Sequence, residues 1–203
     1  MIVLEKDRIK EHPDIQKTIC FTGHRPKDLF GYQAKEPYIR IINALKPFLS
    51  VLYENGYTDF ISGGAQGFDQ LAFWAVHRTL PNANNHVFIP FYGQEMRWKE
   101  NGLFGQKEYQ KMLKLATTVT DCSNGETNLD FGQAVIRLMN RNKQMILASS
   151  ATIALFEHDK DYKISSGGTA ATIRKSLEYQ HPVILLDPNT LDYKVIQPVK
   201  KGG

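Results

Sequence analysis

From residue 17 to residue 186, short apolar and β-branched runs alternate with longer stretches whose apolar residues recur every three or four positions. The runs 17–22, 58–62, 86–91, 117–121, 151–157 and 182–186 lack a polar face, as strands covered on both sides do. The intervening segments 36–54, 67–80, 106–116, 130–149 and 168–180 carry helical spacing. Phe68, Leu71, Ala72 and Ala75 form one apolar stripe; Phe131, Ala134, Val135, Leu138, Met145 and Ile146 form another, expected to face the core. Regular alternation of strand and helix predicts an α/β, Rossmann-like fold: a doubly wound, mostly parallel sheet with helices on both faces. One domain is expected over 17–190, with 1–16 as a lead and 191–203 as a C-terminal tail; the lead and the Lys200-Lys201-Gly202-Gly203 end are expected to fray.

Composition narrows the picture only slightly. With 203 residues, 42% of them hydrophobic, the chain can bury a core without staples. Cys20 and Cys122 have neither metal-ligand nor redox spacing, so both are expected in the core of a protein from a reducing compartment, and no metal site is expected. Residues 1–12 lack the apolar stretch of a signal peptide and no later run reaches spanning length, which predicts a cytoplasmic protein without a membrane partner. The net charge of +4 favours an anionic partner, yet 25 basic residues are scattered among 21 acidic ones. On that distribution nucleic acid is expected to be an unlikely partner.

Two glycine-rich turns carry the strongest chemical signal. Ser62-Gly63-Gly64-Ala65-Gln66-Gly67-Phe68-Asp69 and Ser165-Ser166-Gly167-Gly168-Thr169-Ala170 each lie between a predicted strand and a predicted helix. Glycines there leave backbone N–H groups uncovered at the positive end of a helix dipole, which suits a phosphate. The spacing is neither the dinucleotide fingerprint nor a P-loop. After the first strand comes Thr22-Gly23-His24-Arg25-Pro26, where Arg25 either grips phosphate or rests in a surface loop, and His24 is either an acid–base group or a packed side chain. Asp69 caps its helix or accepts from a ribose hydroxyl. Arg141 lies beside a buried stripe and must either snorkel to water or enter a polar site. In the loop 91–98, Phe91 suits a core edge and Trp98 the face of a nucleobase, with Gln94 and Glu95 between them. The candidate carboxylates Asp69, Glu95, Glu126, Asp130 and Glu157 have no spacing that forces a catalytic pair.

In order along the chain, Thr22-Gly23-His24-Arg25, Ser62-Gly63-Gly64-Ala65-x-Gly67-x-Asp69, Ile89-Pro90-Phe91 with Gln94 and Trp98, Arg141-Asn142-x-x-Met145, and Ser166-Gly167-Gly168-Thr169 closely resemble the YpsA-like branch of the SLOG superfamily, with Gln66 counted among the candidate ligand-binding residues. That superfamily also holds the DNA-processing protein DprA and the Lonely Guy phosphoribohydrolases. The resemblance, over about 17–187, implies that these blocks bind a nucleotide or a nucleotide-derived ligand such as an NAD, ADP-ribose or cyclic-nucleotide compound, with no required cofactor. It also implies a homodimer or a larger homo-oligomer. Aligning the Gly-Thr of the Lonely Guy enzymes with Gly168-Thr169 puts Thr172 where those enzymes have a catalytic glutamate. A hydroxyl cannot replace that carboxylate, so the resemblance implies binding more than turnover. The alternatives are an N-glycosidase using Glu95, Glu126 or Asp69, and DprA-like single-stranded DNA binding.

Overall fold

The computed structural model describes residues 13–99, 103–127 and 130–199. Seven strands form one sheet: β1 (Thr18–Gly23), β2 (Asp59–Ser62), β3 (Asn84–Ile89), β4 (Thr118–Asp121), β5 (Ala151–Leu155), β6 (Val183–Leu186) and β7 (Tyr193–Ile196). Five helices connect them: α1 (Lys35–Glu54), α2 (Phe68–Thr79), α3 (Gln106–Leu115), α4 (Phe131–Leu147) and α5 (Gly168–Glu178). The spatial order is β4-β3-β2-β1-β5-β6-β7, parallel throughout except for β7. This is the expected Rossmann-like class.

Alternation along each strand divides the core. Ile19, Phe21 and Phe60 face a large cluster with Tyr38, Ile41 and Leu45 of α1 and Phe68, Leu71 and Ala72 of α2. Val87 and Ile89 pack with Tyr109, Met112 and Leu113 of α3. Cys20, Ile61 and Phe88 point the other way, toward Met145 and Ile146 of α4, and Ala154 meets Ala170 and Ile173 of α5. Both cysteines are buried and free, and burial pushes the Cys122 thiol up to about 12. From β1 the chain winds outward through β2, β3 and β4, and then returns to place β5 on the other side of β1. The switch point, where ligands of doubly wound sheets enter, is therefore the carboxyl edge between β1 and β5.

Two expectations are corrected. Residues 191–199 are not a tail apart from the domain, because β7 pairs antiparallel with β6 and the Tyr193 ring stacks on Phe48 of α1 at 4.3 Å. A short turn suffices for an antiparallel neighbour, so no helix announces this strand. The stripe on α4 is also buried only in its second half: Phe131 is 80% exposed and Val135 43%, while Met145 and Ile146 are buried. None of the core clusters includes the apolar residues of the first turns of α4. The first 12 residues and the last four lie outside the described residues.

Candidate functional site at the switch point

Around β1 the close packing is enforced by glycine. A Cβ on Gly23 would sit 2.6 Å from the Phe68 side chain, and one on Gly67 would sit 2.5 Å from the His24 carbonyl oxygen. Gly67 has φ +98, a conformation open mainly to glycine. These contacts let the Phe68 N–H donate to the His24 carbonyl at 3.3 Å, fastening the exit of β1 to the start of α2.

The first glycine turn is closed on itself. Ser62 Oγ donates to the Asp69 carbonyl at 2.7 Å and accepts from the Gly64 N–H at 3.2 Å, while the Ala65 N–H donates to Asp69 Oδ2 at 3.3 Å. Arg141 reaches across from α4 and donates through Nη1 to the same Asp69 oxygen at 3.0 Å. Its guanidinium lies flat against Gly63: a Cβ there would be 1.1 Å from Nη1. Burial raises the pKa of Asp69, and the Arg141 charge opposes that rise. Arg141 Nε is buried with no partner among the described residues. Gly63 is thus glycine to admit an arginine, and two of the N–H groups expected to face a ligand are already bonded.

The second turn is open. Gly167 has φ +96, and a Cβ on either Gly167 or Gly168 would meet nothing within 4 Å. Gly168 starts α5, and the Thr169 hydroxyl makes no hydrogen bond among the described residues. Thr22, beneath the same edge, also has an unbonded hydroxyl, and Arg25 is half-buried without an ion pair among the described residues. Arg174 of α5 supports the approach to this turn by donating to the carbonyls of Tyr162 and, at 2.9 Å, Ser165. Thr172 is buried; its hydroxyl donates to the Gly168 carbonyl at 2.7 Å and accepts from Asn142 at 3.0 Å. The Thr172 hydroxyl is therefore a structural link between α4 and α5.

Beside this edge, His24 Nε2 lies 2.8 Å from Glu157 Oε2, and Lys160 Nζ donates to Glu157 Oε1 at 2.7 Å. Burial alone would raise the pKa of Glu157, but the lysine, a backbone N–H and His24 together outweigh it and hold the carboxyl below its ordinary value. The other sequence candidates are engaged elsewhere. Gln66 donates to the Phe104 carbonyl at 2.8 Å, and Gln94 donates to the Tyr109 hydroxyl at 2.7 Å. Trp98 meets Tyr109 edge to face at 5.1 Å, Phe91 is half-buried, and Glu95 accepts from Gln110 of α3. Glu126 pairs with Arg137 of α4. Lys160 and Arg174 carry no motif signal, and Arg174 lies on a helix whose facing is set only by packing; Asn142 belongs to the Arg141-Asn142 block, but its bond to Thr172 has no local signature.

A family profile named YpsA and described as the YspA SLOG family matches residues 19–191. A prophage-derived protein of Bacillus subtilis, YoqJ, is 33% identical over 118 residues, covering 53% of this chain and 65% of that relative. A UPF0398 protein of Bacillus pumilus is 26% identical over 186 residues, covering 88% and 92% respectively. Among solved structures, DNA processing protein A from Helicobacter pylori, described for its single-stranded DNA binding mode, shares 15% identity at a TM-score of 0.49, covering 85% of this chain and 66% of that one. What that protein binds is not carried over to this chain. The expectation that nucleic acid is an unlikely partner is withdrawn: it rested on scattered charge alone, and a net charge of +4 favours an anionic partner of either kind.

Proposed function

The chain belongs to the SLOG family, and from that premise we propose that it binds a nucleotide or nucleotide-derived small molecule at the β1/β5 switch point. The observation that carries this reading is the second glycine turn: uncovered N–H groups at the start of α5, open space over Gly167 and Gly168, and Arg25 without an ion pair among the described residues. Phosphate would sit on Gly167-Gly168-Thr169, with Arg25 as its counter-charge and Arg141 stiffening the opposite wall. NAD, ADP-ribose and cyclic nucleotides carry the chemistry that this edge would recognise, and the reading requires no cofactor.

A thermal-shift panel of these compounds with AMP and a single-stranded oligonucleotide tests the reading. A ligand at a hundred times its dissociation constant adds about 2.7 kcal/mol to stability. A clear upward shift with a small nucleotide, reduced in Arg25→Ala, is the expected result. A flat panel with folded protein free of co-purified ligand overturns it, and a shift confined to the oligonucleotide replaces it with nucleic-acid binding.

Self-association is part of the same proposal. The exposed side chains Phe131, Ile136 and Met139 on α4 offer an apolar surface to a second copy. Light scattering should report a dimer or larger assembly that Phe131→Ser with Ile136→Ser dissociates. No helix among the described residues is long and apolar enough to cross a membrane. A cytoplasmic location, suggested by two free buried cysteines, is likewise proposed.

A further inference from the structure

One ionisable pair at the edge is built differently from the rest. His24 is fixed from three directions: its carbonyl is held by the Phe68 N–H, its ring lies over Phe156 at 5.4 Å and 24°, and its Nε2 is held by Glu157. Glu157 is itself fixed, because its second oxygen accepts from Lys160. A carboxylate accepting from Nε2–H assigns the proton of a neutral imidazole to that nitrogen and leaves the lone pair on Nδ1. Nδ1 has no partner among the described residues, and the side chain keeps 17% of its surface open. A base whose tautomer is set by a buried acid, with its reactive nitrogen exposed, is the arrangement that proton transfer requires.

The neighbouring acids lack that freedom. Asp69 is tied to Arg141, Glu95 accepts from Gln110, and Glu126 is paired with Arg137. The edge therefore has one oriented base, and none of these three acids is free to serve as its partner. Such a site suits a bond whose leaving group departs without a proton. A phosphoanhydride is such a bond, because its leaving group is a stable phosphate monoester; an alkoxide or an amine would need an acid. Arg25, next in sequence to His24, and the first residues of α5, which follows β5, stand at this same carboxyl edge, where they could stabilise phosphoryl charge.

We propose that His24, positioned by Glu157, is a general base that hydrolyses the pyrophosphate linkage of a bound dinucleotide-type ligand. This rests on the nucleotide-binding reading and extends it from holding to cutting. In the step, a water proton passes to His24 Nδ1 as the water oxygen bonds to phosphorus. The bridging P–O bond breaks, its electron pair leaves with the second phosphate monoester, and His24 returns the proton to solvent. One pyrophosphate diester and one water give two monoesters.

ADP-ribose and NAD are the probes, with AMP release followed by chromatography and binding measured on the same preparations by calorimetry. Wild type should release AMP, and in ¹⁸O-labelled water one product phosphate should carry the label. His24→Gln should bind within about threefold of wild type and lose at least about 100-fold in rate, the size expected of a general base. Glu157→Gln, which keeps the shape of the pair, should lower kcat more than it alters KM and change the pH profile of kcat. Binding by wild type without AMP release overturns the proposal and leaves the binding reading intact. Absence of binding to either probe overturns both for this ligand class. AMP release that persists in His24→Gln, or in Glu157→Gln if the first variant does not fold, also overturns the base assignment.

Discussion

At the residue scale, the glycines of the two turns are there for opposite reasons. Gly67 combines φ +98 with a Cβ position 2.5 Å from the His24 carbonyl, whereas Gly168 has open space and starts a helix. Gly67→Ala should therefore lose well over about 1 kcal/mol in urea denaturation, because strain and a backbone clash add. Gly168→Ala should fold as well as wild type and fail instead in ligand titration. Equal stability losses in the two variants would contradict this division. The Arg141–Asp69 pair makes a second contrast. Removing one partner of a buried pair leaves an uncompensated charge, so Arg141→Met should lose about 3–5 kcal/mol, while Asp69→Leu combined with Arg141→Met recovers most of the loss. The sequence marked these positions as special but not why. Gly63 faces Arg141 across the fold, and no local spacing shows that a guanidinium will occupy the place where a phosphate was expected.

Among the elements, those that extend the buried part of the sheet were legible and those at its margins were not. β1 to β6 and the five helices fall within a few residues of the segments that periodicity predicts, because each has a face that must be covered. α4 shows the limit of that reasoning. Apolar spacing identifies the face of a helix but not its cover, and Phe131 and Ile136 stand 80% and 65% exposed. What anchors this end is local. Asp130 accepts from the Gln133 N–H at 2.8 Å, and the Gln133 side chain accepts from the Asp130 N–H at 3.1 Å, forming a capping box. Without core packing to support the first turn, Asp130→Ala should cost about 1 kcal/mol. Hydrogen exchange should localise the loss to the first turns of α4 and spare Met145 and Ile146. Loss spread evenly along the helix would mean that the N-terminal half is held by something other than its cap.

For the molecule as a whole, β7 closes the sheet, and one carboxylate holds the turn that delivers it. Asp187 accepts from the N–H groups of His158 at 2.7 Å, Asn189 at 2.8 Å and Thr190 at 3.1 Å, joining the β6–β7 turn to the residues just past β5. Burial would raise its pKa, but these three donors outweigh burial and hold it below 3.8. A carboxyl whose pKa is depressed in the folded state contributes stability above its unfolded value and loses that contribution as pH falls through the folded one. Asp187→Asn should thus be less stable than wild type at neutral pH, and the difference should shrink as pH falls from about 5 to about 2. Melting temperatures of the two proteins across that range measure it, and a gap that stays constant would place the role of Asp187 in packing rather than charge. The same joint governs solubility. β6 is wholly apolar from Val183 to Leu186, and β7 covers its outer edge, assisted by the Tyr193 hydroxyl bonded to the Ala44 carbonyl at 3.0 Å. A chain cut after Asn189 should keep the parallel strands but expose that edge to other chains. Light scattering should then rise with concentration. A monodisperse truncated protein would show that the β6 edge needs no cover and that β7 serves only to fasten α1.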